Sequence, residues 1–418
     1  MTALTRGALA ADLAERAFAG PIAGSLTPRR LGAEVEFIPV ETLTGRRCGL
    51  ESEEVISTLP FLRRYGNRQG WAESRTQKGT PCFTLPEGGT LTFEPGGQLE
   101  YSSPPCRSAS ALLARMRSVV LPLRAAAADA GIDLLAVGID PLNSAERAPM
   151  VIHAERYQRM AEYLARIGPA GARMMRQTAA FQLSVDFDDE PWLRWRVLNA
   201  AAPYVVAIFA NSPIYAGERT GYQSARADAW RNLDPTRTGF AYDEQAPVEA
   251  YLDFALAAPA ILFPALDGEH KPFGEWLARA NPTIEEWQDH LSTLFPEVRP
   301  RGHLELRSAD AISPEWYAAP LALTAGILYD SRALRAAADL LPTPDLALLE
   351  RAGRLGLHDP AIARTAADLF ELGLSGCAGL GAGYFHPADL EQARAYFDRY
   401  TSRARAPADD VLRDAMAA

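Results

Sequence analysis

Lysine is almost missing from this 418-residue chain: Lys78 and Lys271 are the only two, and arginine carries nearly all the positive charge. The net charge is −10 and no stretch concentrates basic residues. A nucleic-acid surface needs such a concentrated footprint, so a nucleic-acid partner is not expected. Cysteine is scarce. Cys48, Cys82, Cys106 and Cys377 contain no CxxC pair, which argues against a disulfide scaffold or a zinc ribbon. The six histidines form neither HExxH nor HxH, so zinc catalysis is not expected. There is no GxxxxGK[ST] phosphate loop, and "GLGAG" (379–383) follows no clear strand and reads as a loop. Long apolar runs are also lacking. "PYVVAIFA" and "LALTAGIL" are far too short to cross a bilayer, and the amphipathic, acid-containing N-terminus has no signal-peptide core. The expectation is a cytoplasmic protein without a membrane partner.

What is present is apolar material, 48% of the residues, enough for a large core. Helices are expected over 5–20, briefly around 51–64, over 108–131, in "HAERYQRMAEYLARIG", in "EPWLRWRVLNAAAPYVVAIFAN", and through most of the chain beyond about 314. Residues 41–90 read as a long excursion, and 211–240 as a loop long enough to suggest function. With no repeat and no linker, the whole chain, 1–418, reads as one α+β domain with a helical C-terminal region. Met174 and Met175 are expected in a core.

Four alternating segments carry the chemistry. On a strand, residues i and i+2 share a face. In "AEVEF", Glu34 and Glu36 oppose Ala33, Val35 and Phe37. In "QLEYS", Gln98, Glu100 and Ser102 oppose Leu99 and Tyr101. In "FQLSVDF", Gln182, Ser184 and Asp186 oppose four apolar residues. In "HLELR", His303, Glu305 and Arg307 oppose Leu304 and Leu306. A solvated antiparallel sheet would explain one greasy and one polar face. It would also mix Lys, Thr and Arg among the acids, whereas here five carboxylates meet one strand arginine. Neighbouring carboxylates repel unless a cation sits among them, and hard divalent cations prefer oxygen donors. At this point a wet face and a metal site both remain open. The stretch "LTFEPGGQLEYSSPP" (91–105) sharpens the choice by placing Glu94, Gln98 and Glu100 around a Pro95-Gly96-Gly97 turn.

In their order, "LGAEVEF", "LTFEPGGQLEYSSPP", "RYQRMAEYL", "GARMMRQTAAFQLSVDF", "FANSPIYAGERTGYQSARADAWRNLDPTRTG", "HLSTLFPEVRPRGHLELRSAD" and "GILYD" resemble glutamate–cysteine ligases of the plant and proteobacterial type. The chain also resembles the actinobacterial enzyme that makes γ-glutamylcysteine for ergothioneine. The resemblance spans about 30–400. It implies a glutamine-synthetase-like fold, in which a curved antiparallel sheet surrounded by helices forms an active-site funnel for Mg²⁺ (or Mn²⁺), ATP and glutamate. It implies ATP-dependent ligation of glutamate to cysteine through γ-glutamyl phosphate.

By the same resemblance Glu34, Glu36, Glu100 and Glu305 are metal ligands, with Gln182 a weaker candidate. Arg307 would neutralise the transferring phosphoryl group and Arg226 would clamp the glutamate α-carboxylate. Arg231, Arg237, Glu94 and Gln98 are further substrate-side candidates, while Trp230 is expected to pack beneath its loop. The plant enzymes have Asn where Ser184 stands and Arg where Gln177 stands, so the acceptor side can differ. Their regulatory disulfides find no match here, and no redox switch is expected. The alternatives are a γ-glutamyl ligase with another amine acceptor, or a non-catalytic relative that binds ATP or glutamate. The expected partners are small-molecule substrates only, for a monomer or homodimer.

Overall fold

The computed structural model describes residues 4–18, 29–52, 55–76, 79–266 and 268–417. The last two residues of the helix expected over 5–20 lie outside these. Its described part is helical from Arg6, capped by the Thr5 hydroxyl, which accepts from the Ala8 amide.

The alternating segments all become strands of one nine-stranded sheet. These are β1 (Leu31–Glu41), β2 (Ala72–Arg75), β3 (Pro81–Thr84), β4 (Thr90–Phe93), β5 (Leu99–Ser102), β6 (Ile132–Leu135), β7 (Ala180–Val185), β8 (Val298–Pro300) and β9 (Leu304–Asp310). Their order is β8-β9-β7-β1-β5-β4-β3-β2, with β6 pairing the far half of β1, and every pair is antiparallel. β1, eleven residues long, has backbone edges long enough to pair three neighbours. Its first half pairs β5 and β7, and its second half, from Ile38 to Glu41, pairs β6.

The excursion 41–90 therefore holds two strands that the alternation did not reveal. All four residues of β2 are exposed, so this edge strand has no buried face to leave a period-2 signal. The short helix there begins at Thr58, later than expected. The 211–240 segment contains the helix Ala225–Arg231, capped by Ser224. The chain from 241 to 297 adds the helices Pro247–Ala257, Phe273–Ala280 and Ile284–Leu291.

Behind the sheet, one continuous core runs from Leu9 to Tyr400. Helix Ala318–Tyr329 is buried along its whole length, and it meets helix Pro360–Leu380 backbone to backbone. A Cβ at Gly326 would fall 1.8 Å from the Gly373 carbonyl, so only glycine permits this approach. "GLGAG" is the end of that second helix, with Gly381 at φ 85° past its last turn. Met174 and Met175 sit in a small satellite core. No helix among the described residues is long and apolar enough to cross a membrane.

Candidate active site

Strand register brings the polar faces together. Glu36 lies opposite Glu100, Glu34 opposite both Ser102 and Gln182, and Glu305 opposite Ser184 on one side and Arg299 on the other. This face, with the β4–β5 turn and side chains from neighbouring helices, encloses a cavity of about 530 Å³. Glu34, Glu36, Glu94, Gln98, Glu100, Gln182 and Arg307 all line it. The Pro95-Gly96-Gly97 turn is fixed by close packing: a Cβ at Gly96 would come 2.3 Å from the Arg176 carbonyl oxygen, and Gly97 holds φ 82°. That answers why acids are tolerated beside the turn, since it seats Glu94 and Gln98 on the cavity wall.

On β1, on β5 and in the β4–β5 turn the carboxylates crowd one another. Burial, then mutual repulsion, pushes Glu34 and Glu100 up to about 8 and Glu94 up to about 7. Glu36 is also raised by burial, although it accepts hydrogen bonds from the Ala180 amide (2.8 Å) and Gln182 Nε2 (2.9 Å). Glu100 accepts from the hydroxyls of Ser102 (2.8 Å) and Thr92 (3.3 Å). Gln98 donates to the Thr178 carbonyl, but its own side-chain oxygen is buried without a donor.

The opposite end is built from arginine. Glu305, fully buried, accepts from Arg299 (2.7 and 3.1 Å), Arg301 (3.1 Å) and Arg307 (2.9 Å). Burial alone would raise its carboxyl, but these guanidiniums hold it far below the usual carboxylate range. Arg307 also donates to Gln182 Oε1 at 2.6 Å. Glu305, expected as a metal ligand, is thus committed to arginine beneath the cavity surface, while Arg299, Arg301 and Arg307 face the cavity itself. Arg299 and Arg301 were not foreseen. Their signal was present in "VRPRGHLELR", because a hairpin about Gly302 puts residues 299, 301, 305 and 307 on one face.

The loop arginines have other surroundings. Arg226 is buried and donates to the carbonyls of Arg307 (2.7 Å) and Ser308 (3.5 Å), with Asp310 at 3.8 Å. Asp310 gathers the two motifs of that loop, accepting from the Asn211 amide, the Ser212 hydroxyl and the Ser224 hydroxyl at 2.6–2.8 Å. Arg237 is fully buried and bonded to Asp234, Thr293 and the Pro259 carbonyl. Arg231 lies against Gly239. None of the three is among the residues that line the acidic cavity; Arg226 lies behind it, lining with Trp230 and Arg307 a small adjoining hollow.

Trp230 packs against the satellite core and Phe295, as expected, and also lines the cavity. Its ring lies 5.9 Å from the Arg226 guanidinium and 5.7 Å from that of Arg307. Asp186 leaves the acidic face because β7 ends at Val185, and it pairs with Arg30 instead. Gln177 is buried between the Asn143 carbonyl and the Tyr215 hydroxyl. Arg156 and Tyr157, from the helix beside the turn, also line the cavity.

Oxygen donors with raised affinity for protons, and a buried amide oxygen lacking a donor, fit a hard divalent cation. Among the described residues no three acidic, His or Cys side chains already converge as a metal cage. The donors line a wall.

Comparison with known proteins follows the same lines. The model of glutamate–cysteine ligase family 2 matches residues 30–373. The glutamate–cysteine ligase EgtA of Mycolicibacterium smegmatis is 34% identical over 382 residues, covering 87% of this chain and 86% of the relative. The chloroplastic glutamate–cysteine ligase of Medicago truncatula is 33% identical over 339 residues, covering 77% of this chain and 65% of the relative. The crystal structure of a glutamate–cysteine ligase from Francisella tularensis, in complex with AMP, shares the fold with a TM-score of 0.52 at 11% identity, covering 92% of this chain and 84% of that one. The antiparallel sheet that carries the acidic face thus has the fold of a known glutamate–cysteine ligase, and the chain belongs to the glutamate–cysteine ligase family.

Proposed function

We propose that the funnel joins the γ-carboxylate of glutamate to the amine of cysteine by way of γ-glutamyl phosphate, and that its two ends divide the work. A carboxylate is a poor electrophile at neutral pH. Attack of its oxygen on the γ-phosphorus of ATP releases ADP and gives a mixed anhydride, and the acceptor amine then displaces phosphate and loses a proton. The observation that carries this reading is the pairing of an uncompensated acidic wall with an arginine cluster in one cavity.

Arg307, with Arg299 and Arg301, supports the negative charge that develops on the transferring phosphoryl group. Glu34, Glu36 and Glu100, with Glu94, Gln182 and Gln98 beside them, would hold Mg²⁺ or Mn²⁺. The ion would neutralise the triphosphate and bring it beside a carboxylate substrate. Trp230, Tyr157 and Met160 give the cavity an apolar flank that excludes water from the anhydride. Arg226, Arg231 and Arg237 are not among the residues lining the funnel, so we assign the glutamate α-carboxylate to Arg156, which is. We place the reaction in the cytoplasm with small molecules as the only required partners.

The test is incubation with ATP, Mg²⁺, glutamate and a panel of amines, with products identified by mass. γ-Glutamylcysteine as the main product supports the reading, and a different amide assigns another acceptor. Buthionine sulfoximine should give slow, ATP-dependent inhibition as its phosphorylated form mimics the tetrahedral transition state. Inhibition that is the same without ATP would count against phosphorylation.

A further inference from the structure

A second cavity, of about 1090 Å³ and so larger than the funnel, opens on the other side of the β4–β5 turn and shares no lining residue with it. The partition is thin. Pro95 faces the funnel and Gly96 faces the second cavity, and the Pro95 carbonyl accepts from the amides of Val151 (2.7 Å) and Ile152 (3.2 Å).

Among its described lining residues, Arg46, Arg75 and Arg147 stand at the exposed rim and Arg47 lies deep, against one acid, Glu51, which Arg63 already holds. Neither Arg46 nor Arg147 makes an ion pair among the described residues. Val55, Leu59 and Met150 supply an apolar wall. In a chain of net charge −10, Arg46 and Arg147 thus bring positive charge that no described ion pair offsets to the rim of a hollow.

Arg47 connects the hollow to the funnel. Its side chain is 4% exposed; Nη1 donates to Asp140 (3.1 Å), and Nη2 to the carbonyls of Gly96 and Arg176 (both 3.2 Å). Its Nε is buried with no acceptor at all. Such a group costs stability unless something accepts from it. The same guanidinium therefore lines the second cavity, lacks one partner, and grips the turn that positions Glu94 and Gln98 in the funnel.

We propose that this cavity is a second ligand site, for a small organic anion with a carboxylate or phosphate on an apolar body, and that its occupant is sensed in the funnel through Arg47 and the Pro95-Gly96-Gly97 turn. The size suits such a ligand. A guanidinium cluster suits both kinds of anion. The site is separate from the ligase chemistry, so binding is measurable whether or not the proposed reaction is correct.

The probe is 8-anilinonaphthalene-1-sulfonate, an apolar anion whose fluorescence reports binding, titrated into the full chain. The comparison is the double variant Arg46→Gln/Arg147→Gln, whose changes lie at the exposed rim and leave basal turnover and melting temperature as in the wild type. The expected result is one site per chain, weakened about tenfold or more in the variant, with the probe displaced by pyrophosphate or by citrate. Which of the two displaces it tells a phosphate ligand from a carboxylate one. Saturating ATP, Mg²⁺ and glutamate should shift probe affinity by a limited factor, and the probe should shift glutamate affinity by the same factor. Equal binding to the variant, displacement by neither anion, an unlimited competitive shift, or no shift would overturn the proposal.

Discussion

The two ends of the funnel bury the same residue type and treat it in opposite ways. Glu34, Glu94 and Glu100 sit among other acids, and burial with repulsion pushes them up to about 7–8. Glu305, on the same sheet and more deeply buried, is held strongly down because Arg299, Arg301 and Arg307 surround it. Burial alone therefore does not set the charge of a carboxylate here; its neighbours do. On the proposed reading, the first end would draw positive charge from solution as a divalent cation. The other has more positive groups than its single acid needs, and so can receive phosphate. A ligase that brings a triphosphate and a carboxylate substrate together needs both ends at once.

The largest expected effects come from removing this contrast. Arg307→Gln should lower turnover by about a hundred- to a thousandfold, the scale of losing one preorganised electrostatic contact in a reaction centre. It should also free Gln182 and Glu305 from a shared donor. Turnover within about twofold of wild type would show that the arginine end does not serve the phosphoryl group. Glu100→Gln, nearly isosteric, should reduce turnover by a similar order and raise the Mg²⁺ concentration needed for half-maximal rate. An unchanged Mg²⁺ dependence would remove Glu100 from the cation wall.

A smaller effect sorts scaffold from substrate clamp. Arg226→Lys keeps the charge but loses the fork that reaches the carbonyls of Arg307 and Ser308. A lost charge-assisted hydrogen bond is worth roughly 1.5–3 kcal/mol, or about ten- to a hundredfold. With Arg226 outside the funnel, the loss should fall on turnover and on the apparent affinities of ATP and glutamate alike. A loss confined to glutamate would restore the clamp role that the resemblance implies.

The smallest effect is on stability. Glu34 and Glu100 have folded-state values raised above the ordinary 4.5 to about 8, so their protonated forms favour the fold. That contribution is complete below the ordinary value and is lost as pH rises through about 8. The melting temperature of the metal-free protein should therefore fall between about pH 5 and pH 8, by less in Glu100→Gln, and Mg²⁺ should restore part of it. A melting temperature independent of pH over that range would contradict the crowded wall.

Much of this contrast was legible in the sequence. The i, i+2 spacing of Glu34 and Glu36, of Gln98 and Glu100, and of Glu305 and Arg307 fixes which side chains share a face, and one buried apolar side fixes which way each strand turns. The alternation of β1, β5, β7 and β9 is local, so it survives in one dimension. What was not legible depends on partners distant in the chain. That Glu305 is held by arginines follows from its pairing opposite Arg299. The partners of Arg226 and Arg237 are carbonyls and acids brought near by folding, none of which leaves a spacing signal. Asp186 was misplaced because alternation in sequence ran one step beyond the end of the strand. β2 was missed because neither of its faces is buried.

The central claim is that the acidic wall holds protons which a divalent cation replaces. Calorimetric titration of the metal-free protein with Mg²⁺ at pH 7, repeated in buffers of different ionisation enthalpy, counts the protons released per ion bound. The expected result is release of about one proton or more at pH 7, falling toward zero near pH 9.5, where the wall is already ionised, and reduced in Glu100→Gln. Binding of Mg²⁺ with no proton release at pH 7 would contradict the account.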